Sequence, residues 1–505
     1  MPLGSTLTVA DARLEGGLQG IWHNGHQQAL YKNISFYENT IGLRVSGGRT
    51  ISLVSPTWDT CGSGVLVEND GNYPWVAVID GTSINSGVTF TMKEYASFMI
   101  ENLRKDTNSD IAFGPSGTLL PGQSHVNTFT YGNTVGGDPI YGAVSSTNSR
   151  PSSLAPNGKY PVIPAPNYAS NTVLDFINVK DPNQNGGYPV YGDNARDESG
   201  NLNRVLQYAA RQGKIAYFPF GKYRVDDTLL IPVGSRIVGE AWATISGSGK
   251  NFQDPSNPRP VVKVGNRGDV GTAQIQDMRF TVSDVLSGAI ILQFNMAGNK
   301  PGDVALWNSL VTVGGTRGDD ALTAACTDPS NECRAAFLGI HLAATSSVYI
   351  ENVWNWVADH SPESDAPTTR IAAKGGMLVE ATAGGTWIHG LGSEHFWLYQ
   401  LNLRKASNVV VTLLQSETNY DQGSNTKQAA PAPWAADPAG WGDPDMGWCP
   451  DNRCRMGYAN YINGGSNIYT YASASWVFYS GDRNPCGDTE DCQALTSKFR
   501  IHALD

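Results

Sequence analysis

Short runs of β-branched and aromatic residues recur along the chain at intervals of about 22 to 23 residues, the length of one coil in a parallel β-solenoid. In the first hundred residues, one such series occupies residues 41–45, 64–68 and 87–91. A second series lies between them, and turns rich in Gly, Asn and Ser separate the runs. The pattern predicts an all-β chain whose coils each contribute at least two short strands. Leucine-rich repeats have a similar period, but their Leu/Asn signature is missing.

One helix interrupts the strand pattern. Leu202, Val205, Leu206 and Ala209 follow the i, i+3, i+4, i+7 spacing of an amphipathic helix, and Gly213 stands where a C-terminal glycine stop is expected. Because a solenoid needs its open end covered, we expect this helix to cap a second stack of coils.

Composition changes between residues 106 and 175, where Thr, Ser, Asn, Pro and Gly dominate. We therefore predict an N-terminal β-helix at 1–135, an ordered linker at 136–175 lying across the surface between two solenoids, and a C-terminal β-helix at 176–505 that carries the catalytic acids. Flexible disorder is the alternative for the linker. The first coil begins almost at Met1 without an obvious cap, so we expect the N-terminal β-helix to be truncated.

Charge and hydropathy exclude two functional classes. The 505 residues include 46 acids and 35 bases, a net charge of −11, and lack a clustered basic patch of the kind that binds nucleic acid. The chain also lacks an apolar run of the roughly 18 residues that a transmembrane helix needs. We expect no nucleic-acid partner, no membrane association and a monomer.

Cysteine spacing indicates an oxidising compartment. Six of the seven cysteines form three pairs that are each close in sequence and lie in loops rich in polar residues and Gly. We therefore predict the disulfides Cys326–Cys333, Cys449–Cys454 and Cys486–Cys492. Zinc binding is disfavoured because the spacings are not CxxC and His is not interleaved. Cys61 is left over, as a buried thiol or the mate of a cysteine outside this chain. We predict a secreted protein whose signal peptide is missing with its N-terminus. Asn33 begins the only N-glycosylation sequon, within a predicted strand.

Two acidic motifs, Gly392-Ser393-Glu394-His395 and Gln415-Ser416-Glu417-Thr418, follow strand-like runs, and their glutamates are 23 residues apart. If successive coils carry them, Glu394 and Glu417 stack on one face about 4.8 Å apart along the backbone. One coil back, Asp359 is expected at the matching point, which would give a ladder of three carboxylates. A solvated polar face is the alternative. Nearby aromatic residues and a near absence of lysine favour instead a site with raised carboxyl pKa values.

Four segments of the chain resemble known protein families. Residues 191–242 resemble the opening of a pectate-lyase-like β-helix. The motifs WNWVADH (354–360), LGSEH (391–395) and QSETNY (415–420) resemble glycoside hydrolase family 55, the fungal and bacterial β-1,3-glucanases. The resemblance covers most of residues 15–480. It implies two right-handed parallel β-helices side by side with a substrate cleft between them, and inverting hydrolysis of β-1,3-glucan from the non-reducing end, releasing glucose.

The resemblance also implies residue roles. Glu417 matches the general acid, and Glu394 matches the carboxylate that positions and activates water. The candidates for sugar binding are Trp354, Trp356, Asp359, His395, Gln415 and Tyr420; core packing is the alternative for the tryptophans. No metal or cofactor is implied. Family members place amide side chains of the first domain at the cleft, but residues 46–49 lack the expected glutamine, and Gln19 is the nearest match.

Two other functions stay open from the sequence. A polysaccharide lyase could use the same coils, but lyases that act on uronates generally use Ca²⁺, Arg or Lys to stabilise an anion, and this region is acidic and poor in lysine. A non-catalytic carbohydrate-binding solenoid is the second alternative, favoured by the short first domain. The sequence leaves exo against endo action open.

Overall fold

The structure is a computed structural model that describes residues 6–68, 74–94, 96–133, 141–316, 319–327, 333–360, 370–422, 429–449, 455–477 and 499–502. Within these residues the chain folds into four sheets whose strands come mostly from successive coils. The predicted all-β fold of parallel β-helices is confirmed.

Two sheets form the N-terminal solenoid. Its nine-stranded sheet contains β1 (Thr6–Glu15), β3 (Gln28–Tyr37), β5 (Thr50–Val54), β6 (Thr57–Asp59), β8 (Trp75–Ile79), β9 (Thr82–Ile84), β11 (Ser97–Lys105), β14 (His125–Asn133) and β15 (Tyr141–Ser146). Its six-stranded sheet contains β2 (Gln19–His23), β4 (Ile41–Val45), β7 (Ser63–Val67), β10 (Val88–Met92), β12 (Ala112–Gly114) and β13 (Gly117–Leu120). The pairs β11–β14, β14–β15 and β12–β13 are antiparallel, and the pairs of the preceding coils are parallel.

Two more sheets form the C-terminal solenoid. The ten-stranded sheet contains β16 (Phe176–Asn178), β17 (Ile215–Phe218), β18 (Lys222–Val225), β20 (Ser235–Gly247), β22 (Ala273–Val282), β24 (Val304–Val313), β26 (Tyr349–Val357), β28 (Thr386–Glu394), β30 (Ser407–Glu417) and β32 (Ser466–Trp476). The eight-stranded sheet contains β19 (Leu229–Ile231), β21 (Arg259–Val264), β23 (Ala289–Phe294), β25 (Leu338–Leu342), β27 (Gly375–Val379), β29 (Tyr399–Arg404), β31 (Tyr458–Asn463) and β33 (Phe499–His502). A cluster of buried aliphatic side chains fills the space between the sheets.

The predicted helix is present as α1 (Ser199–Arg211), with the four periodic residues buried and Gly213 at a φ of +63° just beyond its end. Its apolar face joins the core of the C-terminal solenoid, which the burial of Leu202 and Leu206 stabilises by roughly 1.5–3 kcal/mol for each side chain. A short helix, α2 (Asp320–Cys326), follows β24, and two single 3₁₀ turns lie at Val173–Asp175 and Lys250–Phe252. None of the helices in the described part of the chain is long and apolar enough to cross a membrane.

A connecting segment, residues 147–172, has no strand or helix and packs between the two solenoids. Leu154 and Tyr160 of this segment are buried in a cluster with Leu30 of β3 and Trp387 of β28. The Trp387 indole N–H also donates to the Leu154 carbonyl at 2.8 Å. The segment is therefore part of the interface between the solenoids through these buried residues, while others, such as Ser152 and Asn157, are exposed. Strand β15 occupies the first part of the predicted linker, whose boundaries stay a prediction.

One predicted disulfide, Cys326–Cys333, is formed between the end of α2 and the segment that leads to β25, with 5.2 Å between the Cα atoms. Cys61 is a buried free thiol. Cys454, the predicted partner of Cys449, lies outside the described residues, as do Cys486 and Cys492. Those two pairings stay predictions.

Candidate active site

A cavity of about 620 Å³ opens on the outer face of the ten-stranded sheet, over the ends of strands β24 to β30. Residues of the three motifs form most of its wall, and others come from strands β24, β26 and β28. The lining residues are Thr6, Asn308, Ser309, Leu310, Asn352, Val353, Trp354, Trp356, Asp359, His360, Gly390, Gly392, Glu394, His395, Glu417 and Tyr420. Thr6 is the contribution of the N-terminal solenoid, so the cavity lies where the two solenoids meet.

Strand register brings the two glutamates together. Glu394 at the end of β28 pairs with Glu417 at the end of β30, and Trp356 of β26 pairs with Glu394. Because successive side chains of a strand point to opposite faces, these three share the outer face, while Leu391 and Leu414 point into the core. The prediction that Asp359 completes the ladder is wrong. Trp356 occupies that position, since β26 ends at Val357 and Asp359 follows in the loop.

Glu394 is almost enclosed, with 6% of its surface exposed. Its Oε2 accepts the indole N–H of Trp354 at 3.1 Å, from the preceding coil. Burial raises the pKa of Glu394 to about 7, and the neighbouring Glu417 charge adds to this effect, although His395 and the Trp354 N–H oppose it. The carboxyl group can therefore exchange a proton near neutral pH.

The carboxyl group of Glu417 bonds to His395 and Gln415. Its Oε2 lies 3.2 Å from Nε2 of His395, and its Oε1 accepts the side-chain N–H of Gln415 at 3.2 Å. Burial alone would lower the pKa of His395, but the hydrogen bond to Glu417 and the charges of Glu394 and Asp359 outweigh it and raise that pKa. The two glutamates are thus close neighbours in the sheet: Glu394 bonds to Trp354 and Glu417 to His395, while Gln415 interacts with both.

Aromatic rings form one wall of the cavity. The rings of Trp354 and Trp356 stack at 4.4 Å between centroids and 18° between planes, and Tyr420 lies 4.7 Å from the His395 ring. Flat apolar rings of this kind suit the C–H faces of a sugar. Trp397 and Tyr399 are instead buried in a cluster with residues of the loop 429–449, away from the cavity. Gln415 is fully buried and reaches the site through its bond to Glu417.

Several amide side chains in or near the cavity wall were not predicted from the sequence. Asn352 and Asn308 line it, and the side-chain amide of Asn352 donates to Oδ1 of Asn308 at 2.9 Å. Gln19 lies on β2, in the other sheet of the N-terminal solenoid. Gln28 is a second amide of that solenoid: it is fully buried, pairs in register with Thr6, which lines the cavity, and neither of its amide atoms has a hydrogen-bond partner within the described residues. The repeat could have identified Gln28, because it aligns this residue with the polar residues Thr6 and Thr50 on neighbouring coils.

The arrangement combines two acids, a histidine and stacked indoles in a partly enclosed space. None of the described residues that line the cavity is Lys or Arg. Such a site can give a proton to one oxygen and take a proton from a second, while holding an uncharged substrate against aromatic faces.

Comparisons with known proteins agree with this picture. A family model for rhamnogalacturonase A/epimerase, pectate lyase-like, matches residues 176–264. The chain is 57% identical over 96% of its length to a protein of Trichoderma harzianum named glucan endo-1,3-beta-glucosidase BGN13.1, and spans 64% of that protein. It is 30% identical over 86% of its length to a glucan 1,3-beta-glucosidase of Cochliobolus carbonum, of which it spans 56%.

Among solved structures, sacteLam55A from Streptomyces sp. SirexAA-E matches 90% of this chain and 72% of its own, at 15% identity and a TM-score of 0.42. The chain thus spans less than two thirds of the curated relatives it matches. With 57% identity across nearly its whole length, this chain is similar to the Trichoderma protein, and the three motifs that resemble glycoside hydrolase family 55 line one cavity.

Proposed function

We propose that this chain carries the catalytic site of a hydrolase that cleaves β-1,3-glucan with inversion. Glu417 acts as the general acid and Glu394 as the base that activates water. The observation that carries the proposal is the pairing of Glu394 with Glu417 on adjacent coils, with Glu394 bonded to Trp354 and Glu417 to His395 in one aromatic cavity.

The proposed reaction needs two carboxyl groups in opposite protonation states. Glu417 gives a proton to the glycosidic oxygen as the bond to the anomeric carbon breaks. Glu394 takes a proton from the water that attacks from the other face of the ring. Inverting enzymes hold such groups roughly 6.5–9.5 Å apart. The turn of Glu394 towards Trp354 and of Glu417 towards His395 supports a separation larger than that of the backbones.

Gln28 is the proposed amide of the first domain that helps to hold the attacking water. A buried side-chain amide without partners costs free energy, roughly 1–3 kcal/mol for each unpaired group, and a bound water that links Gln28 to the cavity would recover it. Replacing Gln28 by Leu, which keeps most of the volume, should lower kcat without abolishing sugar binding.

The lining of the cavity supports a neutral sugar as the substrate. Stacked Trp354 and Trp356 offer a platform for a pyranose ring, and the described lining residues include no cation that would bind a uronate. The names of the Trichoderma and Cochliobolus relatives give the linkage class, β-1,3-glucan.

Action at a chain end is supported by what lies beyond Trp356. Thr312, its register partner on β24, is buried, and so are Thr281 and Ser246 on the outer face of the next two coils. The row of side chains that holds the two glutamates is therefore covered past Trp356, and beyond Glu417 it continues to the partly exposed Trp476 of β32. A blind end of this kind favours release of glucose from the non-reducing end over cleavage within the chain.

We also propose that the protein is secreted and acts as a monomer. The Cys326–Cys333 disulfide supports an oxidising compartment, where such bonds persist.

The test is incubation of the purified protein with laminarin, followed by ¹H NMR from the first minutes. We expect glucose whose initial anomer is α. An initial β-anomer would contradict inversion, and a ladder of oligosaccharides would contradict chain-end action. Unsaturated products from a pectin control would indicate a lyase, and binding of laminarin without products would indicate a carbohydrate-binding solenoid.

A further inference from the structure

The backbone of His395 is held in an uncommon conformation. Its φ is +66°, in the left-handed region that a few per cent of residues other than Gly adopt, with Asn, Asp and His enriched among them. The N–H of His395 donates to the Glu417 carbonyl at 2.9 Å, and the side-chain amide of Asn419 donates to the His395 carbonyl at 2.8 Å. Strain of this kind persists where surrounding contacts fix it, and it concentrates at functional sites.

The imidazole of His395 links three coils. Its Nδ1 lies 3.2 Å from the carbonyl oxygen of Val357 on the preceding coil, and 3.9 Å from Oδ1 of Asp359. Its Nε2 lies 3.2 Å from Oε2 of Glu417 on the following coil. The ring itself is buried, with 4% of the residue exposed.

These contacts determine where hydrogens must lie. A carbonyl oxygen can only accept, so Nδ1 carries a hydrogen. A neutral imidazole protonated at Nδ1 has a lone pair at Nε2, and that lone pair faces a carboxyl oxygen. A hydrogen bond at 3.2 Å therefore requires one further proton, either on Nε2 or on Glu417. Without it, two acceptors would face each other in a buried site.

We propose that His395 is a positioning residue for Glu417, and that the imidazole and the carboxyl group share one proton and retain it for the glycosidic oxygen. This inference rests on the proposed glucan hydrolysis. The surrounding charges support retention, since the carboxylates of Glu394 and Asp359 both face the imidazole and raise its pKa. The Tyr420 ring covers the imidazole at 4.7 Å.

The proton balance of the step is complete. The pair His395–Glu417 begins with one shared proton beyond the one on Nδ1. As the bond between the anomeric carbon and the glycosidic oxygen breaks, that proton passes through Glu417 to the leaving oxygen. Water forms the new bond to the anomeric carbon and gives a proton to Glu394. The pair then holds an imidazole lone pair against a carboxylate. Before the next cycle the pair takes up a proton from solvent and Glu394 releases one to solvent.

The experiment compares two substrates with different needs for acid catalysis. Laminarin requires protonation of its leaving oxygen, whereas 2,4-dinitrophenyl β-glucoside does not, because dinitrophenolate leaves unprotonated. His395→Asn is the main variant because Asn tolerates the left-handed backbone. On laminarin we expect kcat to fall at least about 100-fold, the usual size of one acid–base contribution. On the dinitrophenyl substrate we expect a rate within about threefold of the parent protein.

The pH profile is the second readout. Loss of the imidazole should shift the basic limb of kcat/KM on laminarin to lower pH by at least one unit, since the shared proton would lose one of its two partners. His341→Asn is the matched control, because His341 is another buried histidine bonded to a glutamate, Glu380 at 2.9 Å, outside the cavity. It should leave both rates and the basic limb unchanged. Equal losses on the two substrates, or an unchanged limb in the His395 variant, would overturn the inference.

A measurement independent of turnover separates this inference from the proposed function. ¹⁵N NMR of labelled histidine should show that His395 titrates at least one unit lower in Glu417→Gln than in the parent protein, because the shared proton loses its carboxyl partner. An unchanged titration would overturn the pairing even if laminarin is cleaved. If the parent protein does not cleave laminarin but the titration shifts, the shared proton stands and the proposed reaction fails.

Discussion

Glu394 and Glu417 occupy the same position on successive coils, yet the carboxyl group of Glu394 bonds to Trp354 behind it and that of Glu417 bonds to His395. The sheet brings the two acids close, and the side-chain partners separate their chemistry.

Replacing Glu417 by Gln should lower kcat on laminarin at least about 1,000-fold, because an amide cannot give a proton to the leaving oxygen. Binding of laminarin, measured by calorimetry, should stay within a few-fold of the parent value. Glu15→Gln, which changes an exposed residue of β1, is the control and should keep full activity. An active Glu417→Gln protein would assign the acid role to another residue.

Glu394 should act as the base, and this role can be tested by rescue. In Glu394→Gln, turnover of laminarin should be lost, and sodium azide should restore cleavage of an activated glycosyl fluoride, because azide attacks without losing a proton. The acid variant Glu417→Gln should show no such rescue with azide. If azide instead rescues the Glu417 variant, the two roles are reversed.

The pH dependence follows from the pKa of Glu394. A base must be ionised, so with its pKa near 7 the kcat/KM should rise as pH increases through about 7. In Trp354→Phe the carboxylate loses an N–H donor that favours its charged form, so the acidic limb should move upward, by up to about one unit. A limb that stays in place would show that the Trp354 bond does not tune this carboxyl group.

Glu394 should also cost stability at high pH. Its pKa is raised from 4.5 to about 7, so the native state binds more protons than the unfolded state between these values, and stability from this group is lost as pH rises through that window. A shift of this size corresponds to roughly 3 kcal/mol. Urea unfolding of Glu394→Gln and the parent protein should show a gap in favour of the variant that widens from pH 4.5 to 8. A constant gap would contradict the raised pKa.

Arg150 of the connecting segment should be essential for joining the solenoids. Its buried guanidinium bonds to Asp80 at 2.6 Å and to Glu101 at 2.8 Å, and the hydroxyl of Tyr471 from β32 also donates to Glu101, at 2.7 Å. Arg150→Met would leave two buried carboxylates without their cation and should lower the free energy of unfolding by about 3–5 kcal/mol. Arg13→Met breaks an exposed pair with Glu15 and should change it by less than about 1 kcal/mol. Comparable losses in both would contradict the assigned role of Arg150.

The local pattern of the sequence determined much of this protein. The spacing of β-branched runs determined the coils, and the 23-residue offset of Glu394 and Glu417 determined their pairing, because a strand repeat fixes which side chains share a face. The same logic identified α1 from four apolar positions.

Only the tertiary structure decided features that depend on where each strand ends and on which surfaces meet. It placed Trp356 instead of Asp359 beside Glu394, because β26 ends two residues before Asp359. It packed Leu154 and Tyr160 of the connecting segment between the solenoids, and it brought Thr6 to a cavity built by residues more than 300 positions away. The tertiary structure also decided that His395 faces Glu417, because this contact depends on the left-handed backbone and the side-chain rotamer of His395. Neither of these features produces a periodic pattern in the sequence. Periodicity encodes the stacking of coils, whereas loop ends and contacts between solenoids depend on packing that no repeat records.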